Sequence, residues 1–286
     1  MQRTLRFFFL TLLFVAGQSY ADALVWEATK GEHKVIVAGT IHLLKPADYP
    51  LSEEYPQAFA DADTLVFETD MAAVQAPAFA TKMTQMMMLP AGESLQTRLS
   101  PEVYERLSQF AQQRSFPLAQ LQTFEPAFVA LTLSIMEMQK LGFAEGVDAR
   151  YTRMANEQGK QLAWLETPDE QLQFLRAMTE LNADNFMRYT LDDLADLPQL
   201  MDDMVKAFKT GDHQALFELG GEPMQEYSQD LYNTILRDRN RAWISQVNEF
   251  VKTPETEMIM VGALHLAGPD SVIEMLRQEG YQVKRY

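Results

Sequence analysis

Two kinds of hydrophobic pattern divide this chain. Short, unbroken apolar runs stand near both ends and around residue 163, whereas most of the stretch between repeats its apolar positions every three or four residues. The first pattern reads as strands buried on both faces, the second as helices. Leu24 to Thr29 alternates into a short strand, Lys30-Gly31-Glu32 makes a turn, and His33 to Leu43 follows as a strand, forming a hairpin that feeds the sheet. Thr64-Leu65-Val66-Phe67 leads to Glu68, Gln161-Leu162-Ala163-Trp164-Leu165 leads to Glu166, and Met258-Ile259-Met260-Val261 is a further apolar run. Tyr281 to Arg285 closes the chain as a last strand.

From Ala76 to about Met224 the pattern is almost wholly helical. Ser100-Pro101-Glu102 reads as an N-cap with Pro at the first helical position. Pro126 to Leu141 is apolar on more than one face and predicts a buried helix closed by Gly142. Thr167-Pro168-Asp169-Glu170 is a capping box for a helix through Met178. Asp184 to Gly220 reads as several acidic helices, and Met224 to Val251 as one long amphipathic helix in which pattern alone puts Arg239 on the solvated face. Met83 to Met88 holds four of the 17 methionines and reads as helix core or an adaptable groove. Strands at the ends and near residue 163, with helices between, predict an α/β core interrupted by a large helical insertion, approximately residues 76–224.

The remaining features narrow the class. Arg3 and Arg6, the apolar Phe7 to Ala16 and the Ser19-Tyr20-Ala21 site read as a secretory signal, with Ala21-Asp22-Ala23 as an alternative cut. Residues 22–286 would then form one domain, periplasmic or secreted, without stable membrane insertion after cleavage. The chain carries no Cys, so neither a disulfide nor a thiol enters its chemistry. A formal charge of −16 disfavours nucleic acid and anionic lipid and suits cationic peptides or divalent ions.

Candidate chemistry comes from a repeated phrase. Gly39-Thr40-Ile41-His42-Leu43 and Gly262-Ala263-Leu264-His265-Leu266 each follow an apolar run, and they contain two of the chain's four histidines. In a parallel sheet, ligands bind beyond the carboxyl ends of the strands. Gly39 would let the backbone leave the sheet sharply, placing His42 at that edge with His265, and Glu68 belongs beside them. Two neutral imidazoles with one or two carboxylates could hold a divalent ion with an open position for water. Without an ion, the same groups could act as a His general base oriented by a carboxylate. His33 and His213 read as solvated. There is no HExxH helix, no Gly-x-Ser-x-Gly elbow and no Gly-rich phosphate loop.

Taken in order, the two Gly-x-x-His phrases, Phe67-Glu68, Gly146-Val147-Asp148, Leu165-Glu166-Thr167 and Arg239-Asn240 resemble the TraB/GumN family, which is related to the Tiki metallopeptidases. The match spans essentially the whole chain after the signal. It implies an α/β fold with a mixed, largely parallel central sheet, whose two related halves bring the histidines together. It also implies a site of His42, Glu68 and His265 as metal ligands, with Glu68 alternatively a general base. Glu166 and Arg239 would stand nearby, orienting ligands or substrate. The implied cofactor is a divalent metal ion, with manganese, cobalt or zinc the candidates, and the implied partner a peptide or small protein substrate. The resulting expectation is a metal-assisted, peptidase-like hydrolase. The alternatives are a non-catalytic protein binding a peptide or metal-containing ligand, and a metal-independent esterase using a His base.

Overall fold

The computed structural model of the protein describes residues 23–286; the secretory signal expected at Met1 to Ala21 lies outside them. Six strands form one mixed sheet: β1 Val25–Lys30, β2 His33–Thr40, β3 Thr64–Phe67, β4 Gln161–Trp164, β5 Glu257–Gly262 and β6 Gln282–Arg285, in the order β4-β3-β5-β2-β1-β6. β4, β3, β5 and β2 run parallel, while β1 is antiparallel to both its neighbours. Gly31, at φ 70, makes the expected hairpin turn between β1 and β2. The apolar runs of β2, β3 and β5 are central strands for the reason their pattern gives, whereas the run around residue 163 is the edge strand β4, with Trp164 exposed. Val35 to Ala38 and Met258 to Val261 are essentially inaccessible, so both faces of β2 and β5 are covered.

Register decides what the sheet presents at its carboxyl edge. Thr40 pairs with Gly262 and Phe67 with Met260, and Phe67 also pairs with Trp164. The four parallel strands therefore end side by side. The residues that follow them, Glu166, Glu68, His265 and His42, emerge along one edge in strand order.

The helical insertion packs as a second hydrophobic cluster built on Leu107, Leu133, Met187 and Leu191, beside the sheet's own core. The span Asp184 to Gly220 holds several helical elements, as its pattern predicts: the long helix Ala183–Lys209, the short helix His213–Leu216 and the π turn Phe217–Gly221. The buried stripe of the first, Met187, Leu191, Leu194 and Leu197, runs up to Pro198 and resumes beyond it with Val205. The predicted Met224 to Val251 helix is broken. Ser228 is extended at φ −158 between Glu222–Tyr227 and Gln229–Tyr232, and the π turn Asn233–Arg237 precedes the helix Asp238–Phe250. Ser100 occupies the N-cap of Pro101–Gln113, but its hydroxyl makes no cap bond; its N–H donates instead to Asp184 at 2.8 Å. Thr167 caps Pro168–Thr179 as the sequence predicts, in a reciprocal box with Glu170. Among the described residues no helix is long and apolar enough to cross a membrane.

Candidate active site

The sheet edge places Glu68 first. Its Oε1 accepts the Gly262 N–H at 2.7 Å. A side chain at position 262 would bring Cβ to 3.2 Å from that oxygen, so the glycine of the second Gly-x-x-His phrase lets the carboxylate reach the strand end. Gly39 serves another purpose than the predicted sharp exit. β2 continues through it, and its bareness makes room for Leu24 and Leu266.

Arg239 stands at the centre of the cluster, which corrects its assignment to a solvated face; only 8% of its surface is exposed. The π turn before it adds a residue to the helical turn, so helical periodicity cannot foresee which way it faces. Its Nε donates to Glu166 Oε1 at 2.8 Å, and its Nη2 to Glu166 Oε2 at 2.8 Å and Glu68 Oε2 at 2.6 Å. Nη1 donates to the Ile235 carbonyl at 3.3 Å and contacts His265 Nε2 at 3.2 Å. All five N–H groups of the guanidinium are thereby engaged. The rings of Phe174 and Trp243 lie 4.6 and 4.9 Å from it. Glu166 also accepts from Trp243 Nε1 at 2.9 Å and Gln171 Nε2 at 2.6 Å. Burial pushes the Glu166 pKa up against the pull of that fork. Burial likewise opposes ionisation of Glu68. The neighbouring His265, the permanently cationic Arg239, His42 and the Gly262 N–H together hold its carboxyl well below the usual range.

The hydrogen bonds fix the tautomer of His265. Asn240 Nδ2 donates to the Asp270 carbonyl at 2.7 Å, which turns its amide oxygen toward His265 Nδ1 at 2.6 Å. Nδ1 therefore carries the proton, and Nε2 accepts from Arg239, which can only donate. His265 is 4% exposed and lies 4.5 Å from the Trp243 ring, centroid to centroid. Burial depresses its pKa to about 3, so it is neutral.

His42 has the opposite setting. Its side chain is 71% exposed toward the cleft, and Nδ1 is 2.9 Å from Asp148 Oδ2. Asp148 is held in turn by the Thr40 hydroxyl at 2.6 Å. It sits in the first turn of the helix Val147–Gln158, whose N-terminus favours a carboxylate. The Asp148 charge pushes the His42 pKa up to about 9, with solvent at the open ring edge screening part of that pull. Gly146 makes the approach possible: a Cβ there would lie 2.1 Å from the His42 carbonyl.

The structure thus brings together all five residues singled out from the sequence. It adds Asp148, Asn240, Trp243, Gln171 and Thr40, to which sequence reasoning gave no role. Asp148 and Asn240 carried a signal, since each stands in a phrase of the family resemblance. Trp243 and Gln171 carried none. A cavity of about 310 Å³ opens onto the cluster, with His42, Glu68, Asp148, Gln171 and Arg239 in its lining. His265 lies behind Arg239 and is not in the lining.

The expected three-ligand metal set can be tested against these bonds. His265 spends its free lone pair on Arg239, and the guanidinium already neutralises Glu68. Among the described residues no three His, Asp or Glu side chains are grouped to hold an ion. In this arrangement His42, Glu68 and His265 do not fit as one ligand set. The cationic centre between the carboxylates is Arg239.

Comparison with known proteins agrees with the resemblance. The chain is 26% identical over 277 residues to Uncharacterized protein YbaP of Escherichia coli (strain K12), an alignment covering 90% of this chain and 98% of that protein. The protein of the same name from Shigella flexneri matches to the same extent. No solved structure matches the chain. A model of the TraB/PrgY/gumN family matches residues 24–285, nearly the whole described chain, and the protein belongs to that family.

Proposed function

We propose that the protein is a periplasmic or secreted hydrolase that cleaves a peptide-like substrate in the cleft, with His42 as the proton-transfer group and Asp148 as its orienting partner. One observation carries this reading. Of the four ring nitrogens on His42 and His265, only His42 Nε2 has no bond among the described residues, and it belongs to the ring that faces the cavity. In the neutral form Nε2 takes a proton from a water molecule, whose oxygen attacks the scissile carbonyl carbon. The resulting Nε2–H then returns the proton to the departing amine or alcohol as the carbon–heteroatom bond breaks. Asp148 keeps the proton on Nδ1 and supports the imidazolium. Glu68, fully ionised beside it, accepts a hydrogen bond from the attacking water. Arg239, its donors all in use, keeps Glu68 and Glu166 in place. The leader-like segment before Ala21 supports the export assignment.

A second reading rests on the same imidazole. A carboxylate on Nδ1 with Nε2 free is also how a metal-binding histidine is held. A divalent ion at His42 and Glu68 would recruit His265 only if Arg239 withdrew.

The test is turnover of a peptide and ester library by the purified protein, with and without chelator. His42→Ala should lower turnover about 10²–10⁴-fold, while His33→Ala and His213→Ala keep it. Turnover abolished by chelator, with one ion per chain, transfers the assignment to the metal reading. No turnover by the parent under any condition leaves a binding protein and overturns the hydrolase.

A further inference from the structure

The polar groups at the sheet edge are nearly all spent on one another, and what remains free describes the substrate. Arg239 has no N–H left, and among the described residues it is the sole Arg or Lys in the cavity lining. Against it stand three carboxylates, Glu68, Glu166 and Asp148, with His42 the second positive group. The cluster therefore offers a substrate carboxylate no unengaged guanidinium or ammonium; its one open cationic donor is His42 Nε2–H, and three carboxylates outnumber the two cations around it.

One uncharged group does face a ligand. Gln171 gives its amide nitrogen to Glu166, which leaves its oxygen as an acceptor at the cavity wall. An amide oxygen complements the N–H of a peptide backbone. The rest of the cavity is apolar: Val74, Phe79 and Met83 from one side, Phe174, Leu175 and Ile235 from the other. Its volume of about 310 Å³ is at the small end of ligand clefts and admits a residue or two rather than a folded partner. The Met83 thioether allows the wall to adapt to side chains of different shape.

We propose that this cavity is a specificity pocket for an apolar residue of the Leu or Phe class. That residue lies within an uncharged stretch of peptide, its backbone N–H paired with the Gln171 amide oxygen, and carries no free carboxylate. The inference rests on the hydrolase reading of the same site. The substrate is cut internally or near its amino end, and carboxy-terminal residues are rejected.

Binding can be measured apart from turnover. The full chain, labelled at its methionine methyl groups, is titrated by NMR with three capped tripeptides: acetyl-Ala-Leu-Ala-amide, acetyl-Ala-Asp-Ala-amide, and acetyl-Ala-Leu-Ala with a free carboxylate. The Met71 and Met83 signals, identified from Met71→Leu and Met83→Leu, should move with the first peptide. Its affinity should exceed that of the Asp peptide by about tenfold or more, the gain expected from burying one Leu side chain, and should also exceed that of the free-carboxylate peptide. Val74→Trp and, separately, Met83→Trp should fill the pocket and lower that affinity by a similar factor, with circular dichroism confirming the fold. His42→Ala should keep the preference. A preference that persists while no variant turns over any substrate removes the hydrolase and leaves the pocket. Equal affinities for the three peptides, or shifts confined to other methionines, overturn the pocket even where turnover is found.

Discussion

His42 and His265 leave neighbouring parallel strands after the same Gly-x-x-His phrase, yet they end in opposite protonation states. His265 is packed under Trp243 and holds its single proton toward Asn240, so it stays neutral down to about pH 3. His42 faces solvent beside a carboxylate and keeps its proton to about pH 9. A base must be deprotonated to act, so hydrolysis carried by His42 should rise with pH up to about 9 and level off above it. The His42–Asp148 pair also contributes stability that is full below the ordinary imidazole value near 6.5 and is lost as pH rises through about 9. Asp148→Asn keeps a hydrogen-bonding group on Nδ1 but removes the charge. The titration of His42, followed by NMR, should then fall toward the ordinary value, and the rising limb of the pH–rate profile should move down with it. A His42 titration unmoved by Asp148→Asn would show that the carboxylate does not set its charge.

At the scale of elements, the site depends on two backbone details that place side chains rather than carry chemistry. The π turn Asn233–Arg237 delivers Arg239 to the sheet edge instead of the solvent face. The start of the helix Val147–Gln158 meets the end of β2 closely enough that the Val147 N–H donates to the Ile41 carbonyl at 2.9 Å. Gly146 sits at that junction, where even a methyl group would overlap backbone, which cannot swing aside as a flexible side chain can. Gly146→Ala should therefore push the helix from the strand, separate Asp148 from His42, and cost about 1–3 kcal/mol as an overpacked contact. Urea unfolding measures the loss, and the His42 titration should shift downward as it does in Asp148→Asn. Gly159→Ala, at the far end of the same helix with φ 67 and open space around its Cα, is the control. It should lose stability through backbone strain while leaving the His42 titration in place.

Across the whole molecule, Arg239 ties together segments distant in sequence: the ends of β3 and β4, the π-turn helix and the 3-10 turn that carries His265. Removing one partner from a buried ionic group leaves the others charged and unpaired. Arg239→Met should destabilise the protein by about 3–5 kcal/mol, read from urea unfolding, because Glu68 and Glu166 lose their counter-charge together. Arg239→Lys keeps the charge without the planar fork and should fall between. In a Glu68→Gln, Glu166→Gln background the same Arg239→Met change should cost distinctly less. If it costs as much there, packing against Phe174 and Trp243 holds the cluster, and the charges do not.

The sequence by itself determined the central strands β2, β3 and β5, because a strand buried on both faces must be continuously apolar and the chain has few such runs. It also determined that His42, Glu68, Glu166 and His265 stand directly past strand ends, and family resemblance supplied Arg239. What it could not contain was the environment of each group. The two Gly-x-x-His phrases are alike as text, but β5 turns at once into a 3-10 turn that buries its imidazole, while β2 leaves its own in the cleft. Asp148 lies 106 positions from His42, and Arg239 lies 171 from Glu68 and 73 from Glu166. Helical period assigns a face only while the helix stays regular, so the break at Ser228 and the π turn erased the information that Arg239 points inward. Strand order and register set which charges become neighbours, and neighbouring charge and burial set each protonation state. Those are properties of the folded arrangement and not of any segment of the chain.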